Sequence, residues 1–243
     1  MPNWPVAALF DFDGVIVNSE PLHFHAFHEV LHEEKLELTE QEYYEELIGF
    51  DDRGAFKHIF QKHNKPLEPR TLLRVMTRKS EAMMELIRDR RYKALPGVEE
   101  FVRGLWRNYP LAIVSGALRE EIEVMLEGVS LRDCFSAIVS AQDVSVGKPD
   151  PQGYLLATRM IGEKLKRPGN QKAYSPTPRE FLIIEDASSV CRTTRAAGFQ
   201  VLGVATTTSV ERLIEAGANW AVRSLRPDEV REKIPGLKIG IEG

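Results

Sequence analysis

The chain has 243 residues, enough for one large domain or two modest ones with a sizeable core. Apolar residues make up 43% and charged residues 28%, an ordinary globular balance. The formal net charge of −4 argues against the strongly basic face that nucleic-acid binding uses, and apolar runs such as "LAIV" and "FLII" are far too short to span a bilayer.

The chain starts "MPNWPV", without a basic region followed by an apolar stretch, so no secretion signal is read and a cytoplasmic protein is expected. Residues 6–10 form a continuous apolar run, the pattern of a parallel strand buried on both faces. That run leads straight into Asp11, Phe12, Asp13 and Gly14. Residues two apart in extended backbone face the same way, which places Asp11 and Asp13 on one side while Phe12 packs inward. From residue 20 to about 93 the pattern is helical throughout. Phe24, Phe27 and Leu31 recur at helical spacing, and a long helix over 69–91 takes its apolar face from Leu72, Leu73, Met76, Met83, Leu86 and Ile87. The cations Lys57, Arg70, Arg74, Arg78 and Lys79 read as solvated faces of these helices. Residues 20–93 are therefore expected to be an all-helical insertion, with 1–19 and 94–243 forming the main domain and Pro96 and Gly97 marking the return.

Beyond the insertion, apolar runs at 111–115, 137–140, 181–185 and 201–205 alternate with helical segments at 98–107, 120–126, 151–161 and 189–197. The alternation predicts an α/β fold, a Rossmann-like parallel sheet sandwiched by helices. Residues 166–179 are polar and hold three prolines, so a mobile surface loop is expected there. Cys134 and Cys191 stand in no metal or redox spacing and read as reduced, half-buried thiols.

The chemistry gathers at the strand ends. The second strand ends in Ser115 and Gly116, the third is followed by a loop carrying Lys148, and the fourth ends in Glu185 and Asp186. In an open parallel sheet these C-terminal ends lie along one edge, where ligands bind. Clustered carboxylates repel one another unless a cation holds them, and Mg2+ takes oxygen ligands of this kind. Ser115, the backbone N–H groups around Gly116 and the Lys148 ammonium suit the oxygens of a phosphoryl group. One carboxylate could attack phosphorus to form an acyl phosphate, and a second could move the proton.

The stretch "DFDGVIVNSEPLH", the "SGA" at 115–117, Lys148 in "GKPD" and the "IIED" at 183–186 occur in that order. With these motifs the chain resembles the haloacid dehalogenase-like superfamily, in the branch with a small helical cap inserted after the first motif. The resemblance implies that Asp11 is the nucleophile and a Mg2+ ligand. Asp13 would be the general acid/base and ligate through its main-chain carbonyl. Ser115, Gly116 and Lys148 would hold the phosphoryl group, and Asp186 with Glu185 would complete the metal site. The substrate implied is a small phosphate ester, hydrolysed by a monomer or homodimer that binds neither nucleic acid nor membrane. The aspartate at position 13 favours phosphate esters over halide or phosphonate chemistry. The text "SGALRE" lacks the Ser-Lys-Asn run of sugar-phosphate mutases, which ranks a mutase second and a catalytically silent binding module third. Ala187, Val190 and the pair Thr193–Thr194 depart from the small residues usual after the fourth motif and put the helix packing there in question, and Asn18 stands where an aspartate is common. His23 reads either as a group orienting Asp13 or as a polar helix residue. Arg53 reads as a substrate contact from the cap or as a solvated charge.

Other motifs fall away. "HEVLH" at 28–32 matches a zinc-protease pattern but sits beside the Phe24/Phe27/Leu31 face with no third ligand. "SVGK" at 145–148 lacks its companion motifs, and Val15 and Ile16 occupy positions where a calcium loop needs oxygen ligands.

Overall fold

A computed structural model describes residues 4–48, 50–165 and 176–240. In chain order its elements are β1 (Ala7–Phe10), α1 (Glu20–Glu33), α2 (Glu40–Glu42), α3 (Asp52–Lys62), α4 (Pro69–Arg88), α5 (Val98–Trp106), β2 (Leu111–Val114), α6 (Arg119–Gly128), β3 (Phe135–Val139), α7 (Gln152–Lys164), β4 (Phe181–Glu185), α8 (Ser188–Ala196), β5 (Gln200–Val204), α9 (Val210–Glu215), β6 (Trp220–Val222) and α10 (Pro227–Lys233). They separate into two units, one made of the segments up to Asn18 and from Ala94 onward, the other of Ser19–Lys93.

The first unit carries one six-stranded sheet in the order β3-β2-β1-β4-β5-β6, parallel throughout. Every residue of β1, β2 and β4 is buried, which explains their unbroken apolar text: helices cover both faces. The chain passes from β1 outward to β3, then crosses to β4 on the other side of β1. Phe10 at the end of β1 lies in register with Ile113 of β2 and Ile184 of β4. The switch in strand order therefore falls between β1 and β4, where open α/β sheets leave a crevice outside their carboxyl ends.

Some expectations shift. The third strand spans Phe135–Val139 rather than 137–140, because the Asp143 carboxylate draws the Ser140 amide (2.7 Å) and hydroxyl (2.6 Å) into a 3-10 turn. The sixth strand, Trp220–Val222, was not expected; three residues make too short an apolar run to read. Both cysteines are buried rather than half-buried, Cys134 at 2% exposure and Cys191 at 0%. Burial pushes the Cys191 thiol well above its ordinary pKa, which keeps it inert. Of the loop expected at 166–179, residues 166–175 lie outside the described residues, and Pro178–Glu180 form a 3-10 turn leading into β4.

The second unit is helical, with a π-helical turn over Tyr43–Leu47. Its core joins Phe27, Leu31, Tyr43, Phe56, Phe60 and Val75. On α4 the buried face is Leu72, Val75, Lys79, Ala82, Met83, Met84 and Ile87; Leu73 instead points outward and is 69% exposed. Lys57, Arg70 and Arg74 are exposed, and the half-buried Arg78 pairs with Glu29 at 2.8 Å. Lys79 does not fit the solvated reading. It lies one turn from Val75 and one from Met83, on the apolar face, and is 1% exposed. Its ammonium is held by Asp52 Oδ1 (2.8 Å), His23 Nδ1 (3.0 Å) and the Phe27 ring (5.1 Å to the centroid).

Candidate active site

The β1–β4 pairing runs one residue past the strand, since the Asp11 amide donates to the Ile184 carbonyl at 2.9 Å. This fixes Asp11 at the crevice, 8% exposed. Its Oδ1 accepts from the Phe12 amide and from the Lys148 ammonium, both at 2.6 Å. The chain then turns sharply. Gly14 adopts φ +74°, and a Cβ there would sit 2.2 Å from Asp186 Oδ2, so only glycine lets this turn press against the carboxylate. Phe12 is fully buried while Asp13 is half-buried, as the two-residue spacing predicts.

Three further strand ends arrive at the same edge. The Ser115 amide continues the β2–β3 ladder to Val139, and its hydroxyl accepts from the Ala117 amide (3.0 Å) and donates to Asp13 Oδ2 (3.2 Å). Gly116 is exposed, with open space where a side chain would stand. Lys148 bridges Asp11 Oδ1 and Glu185 Oε1, the latter at 2.8 Å. Glu185 is fully buried, and its Oε2 accepts from the amides of Asp186 and Ala187, each at 2.8 Å. Asp11, Ser115, Lys148, Glu185 and Asp186 thus come from four separated parts of the chain to one place, with Asp13 and Gly116 beside them.

Asp11, Glu185 and Asp186 place carboxylate oxygens within 4.8 Å of one another, all buried, and Lys148 is bonded to the first two of them. Burial first, and then the Glu185 charge, hold the Asp11 carboxyl well above the usual carboxylate range, although Lys148 works the other way. Removal from water acts to lower the Lys148 pKa, but the Asp11 and Glu185 carboxylates outweigh it and raise it, so the ammonium stays charged. A buried, all-oxygen donor set with excess negative charge fits a hard divalent cation. No other group of three or more metal-ligating side chains occurs among the described residues; His28 and His32 stack at 6.5 Å on α1 without a third ligand.

Two predicted residues lie in the helical unit. His23 is half-buried and bonded to Lys79, and Arg53 is exposed near the start of α3. The departures after the fourth motif are accommodated. Thr194 is buried with its hydroxyl on the Val190 carbonyl (2.7 Å), and the Thr193 hydroxyl donates to the carbonyl of Pro149, beside Lys148.

Sequence reasoning missed three side chains. Thr206, after β5, donates to the Gly14 carbonyl (2.5 Å) and lies 3.4 Å from Asp186 Oδ2; Thr207 donates to the Asp186 carbonyl (3.2 Å). A signal existed, since "TTTS" follows a fifth parallel strand whose end must lie on the same edge. Tyr154, on the first turn of α7, places its hydroxyl 3.2 Å from Glu185 Oε1. Its text, amid apolar helix residues, reads only as core.

Fold and site define a Rossmann-like α/β enzyme whose polar groups meet at a topological switch point. The chain matches the haloacid dehalogenase-like hydrolases over residues 8–204 and belongs to that family. It is 26% identical over 234 residues to a phosphorylated carbohydrates phosphatase of Thermotoga maritima, covering 92% of this chain and 95% of the other. It is 29% identical over 196 residues to a fructose-1-phosphate phosphatase of Escherichia coli, covering 81% and 94%. A β-phosphoglucomutase structure from Clostridium difficile superposes with a TM-score of 0.77 at 21% identity, covering 95% and 97%, a likeness of fold alone. No helix among the described residues is long and apolar enough to cross a membrane.

Proposed function

We propose that this protein is a Mg2+-dependent phosphatase of small phosphorylated metabolites, with sugar phosphates as the favoured class. The observation that carries the reading is the Lys148 ammonium on Asp11 within a buried carboxylate cluster, with the Ser115 hydroxyl on Asp13 beside it. The relatives named for carbohydrate phosphates support the substrate class.

In this mechanism Asp11 attacks phosphorus and carries the phosphoryl group as an acyl phosphate. Lys148, the Ser115 hydroxyl and the Gly116 amide hold the phosphoryl oxygens as charge develops on them. Asp13 gives its proton to the leaving oxygen and then takes one from the water that releases phosphate. Asp11, Glu185, Asp186 and the Asp13 main-chain carbonyl would hold Mg2+, which when bound offsets the repulsion between an anionic nucleophile and an anionic ester. Substrate selection is assigned to the helical unit, in which the exposed Arg53 is the candidate side chain.

The test is phosphate release across sugar phosphates, nucleotides and phosphorylated acids, with Mg2+ and with a chelator. The expected outcome is hydrolysis of sugar phosphates that chelation abolishes. Absence of release from every ester, or isomer formation from hexose 1-phosphates without release, contradicts the reading.

A further inference from the structure

Tyr154 is a fully buried aromatic residue near the start of α7, and its surroundings are unusual for a residue that only fills core. The helix comes close to the sheet at this point. A Cβ on the preceding Gly153 would lie 2.9 Å from Val114 Cγ1, a contact that glycine avoids. That close approach brings the Tyr154 ring beneath Lys148, with the ammonium 5.2 Å from the ring centroid, and the ring also meets Phe199 at 6.3 Å between centroids. The hydroxyl reaches Glu185 Oε1, the oxygen that also accepts from Lys148.

Glu185 is therefore held by donors on both oxygens. Oε2 takes the Asp186 and Ala187 amides, and Oε1 takes Lys148 and Tyr154. The two amides come from the residues that follow Glu185, so they anchor the carboxylate to its own turn. Lys148 is shared with Asp11. Among the described residues, the Tyr154 hydroxyl is the donor that ties Oε1 to a helix without being shared with another carboxylate. An ionised carboxylate is acceptor-only, and its orientation follows its donors.

We propose that Tyr154 is a positioning residue for the acidic cluster. Its hydroxyl sets the orientation of Glu185, and with it the spacing of Asp11, Glu185 and Asp186 toward a divalent cation. The inference rests on the metal reading of that cluster. Partners one step behind metal-binding side chains orient them, and losing one weakens metal affinity or activity by about 10- to 100-fold.

The test is Tyr154→Phe, which keeps the ring, its packing on Phe199 and its face toward Lys148, and removes only the hydroxyl. Mg2+ is titrated calorimetrically into parent and variant without substrate, so the readout does not depend on turnover. The expected result is about tenfold weaker Mg2+ binding, with kcat/KM reduced at limiting Mg2+ and restored as Mg2+ is raised. Phe199→Leu serves as the packing control: it lowers the thermal midpoint and leaves Mg2+ affinity unchanged. Parent-like Mg2+ binding by Tyr154→Phe overturns the proposal while leaving the metal reading intact. A parent protein that binds no Mg2+ overturns the metal reading and the proposal together.

Discussion

The two units of the chain treat buried charge in opposite ways. In the α/β unit three buried carboxylates crowd within 4.8 Å, and Lys148 answers two of them. In the helical unit the buried Lys79 meets one carboxylate, an imidazole nitrogen and an aromatic face. In the first arrangement burial, and then the Glu185 charge, raise the Asp11 pKa; in the second the ammonium sits against a carboxylate. A group that costs stability and is held in place by strand ends and backbone amides is a candidate for chemistry, whereas a balanced pair is a candidate for structure.

That contrast predicts opposite signs for charge removal. Asp11→Asn is expected to lower turnover by more than about a thousandfold while the metal-free thermal midpoint holds or rises, since one buried like charge is gone. Loss of activity together with a large fall in midpoint goes against this view of the cluster. Gly14→Ala should come next. A Cβ at φ +74° costs about 1–2 kcal/mol in backbone strain alone, and its overlap with Asp186 adds to that. Denaturant melts and Mg2+-dependent turnover should both decline.

In the helical unit, Lys79→Met is expected to destabilise by about 1–2 kcal/mol, because Asp52 and His23 each lose a donor and Asp52 is still partly open to water. A variant as stable as the parent would mean the ammonium is not structurally needed. The smallest effect is at Thr39, whose hydroxyl caps α2 by accepting from the Glu42 amide (3.2 Å). Thr39→Ala should cost about 1 kcal/mol by chemical denaturation. The Thr39 amide, and after it Lys62, hold the Glu42 carboxyl down to about 2. Its folded pKa is depressed, so its small contribution is present above the ordinary value of 4.5 and fades as pH falls toward 2. Glu42→Gln should flatten that part of the acid melt.

How much the sequence revealed also differs between the units. Asp11, Ser115, Lys148, Glu185 and Asp186 could be gathered in advance because parallel strands dictate where their ends lie; the sheet is the rule that turns text into position. Thr206 escaped only because that rule was not carried to the fifth strand. Tyr154 escaped for another reason: a tyrosine on an apolar helix face carries no mark of where its hydroxyl points. The helical unit offers no such edge. Helical period predicted its composition, yet it put Leu73 inside and Lys79 outside, because an amphipathic stripe has a width that the period alone does not set. The partners that make a buried lysine tolerable, Asp52 and His23, lie 27 and 56 residues away in sequence and are joined only by the fold.

The most direct measurement is mass spectrometry of the enzyme acid-quenched during turnover of a sugar phosphate with Mg2+. The mechanism predicts one phosphoryl group on the peptide carrying Asp11, absent from the Asp11→Asn variant and from enzyme quenched without substrate. Steady turnover with no phosphoryl group on that peptide, or with the group on another residue, would contradict it.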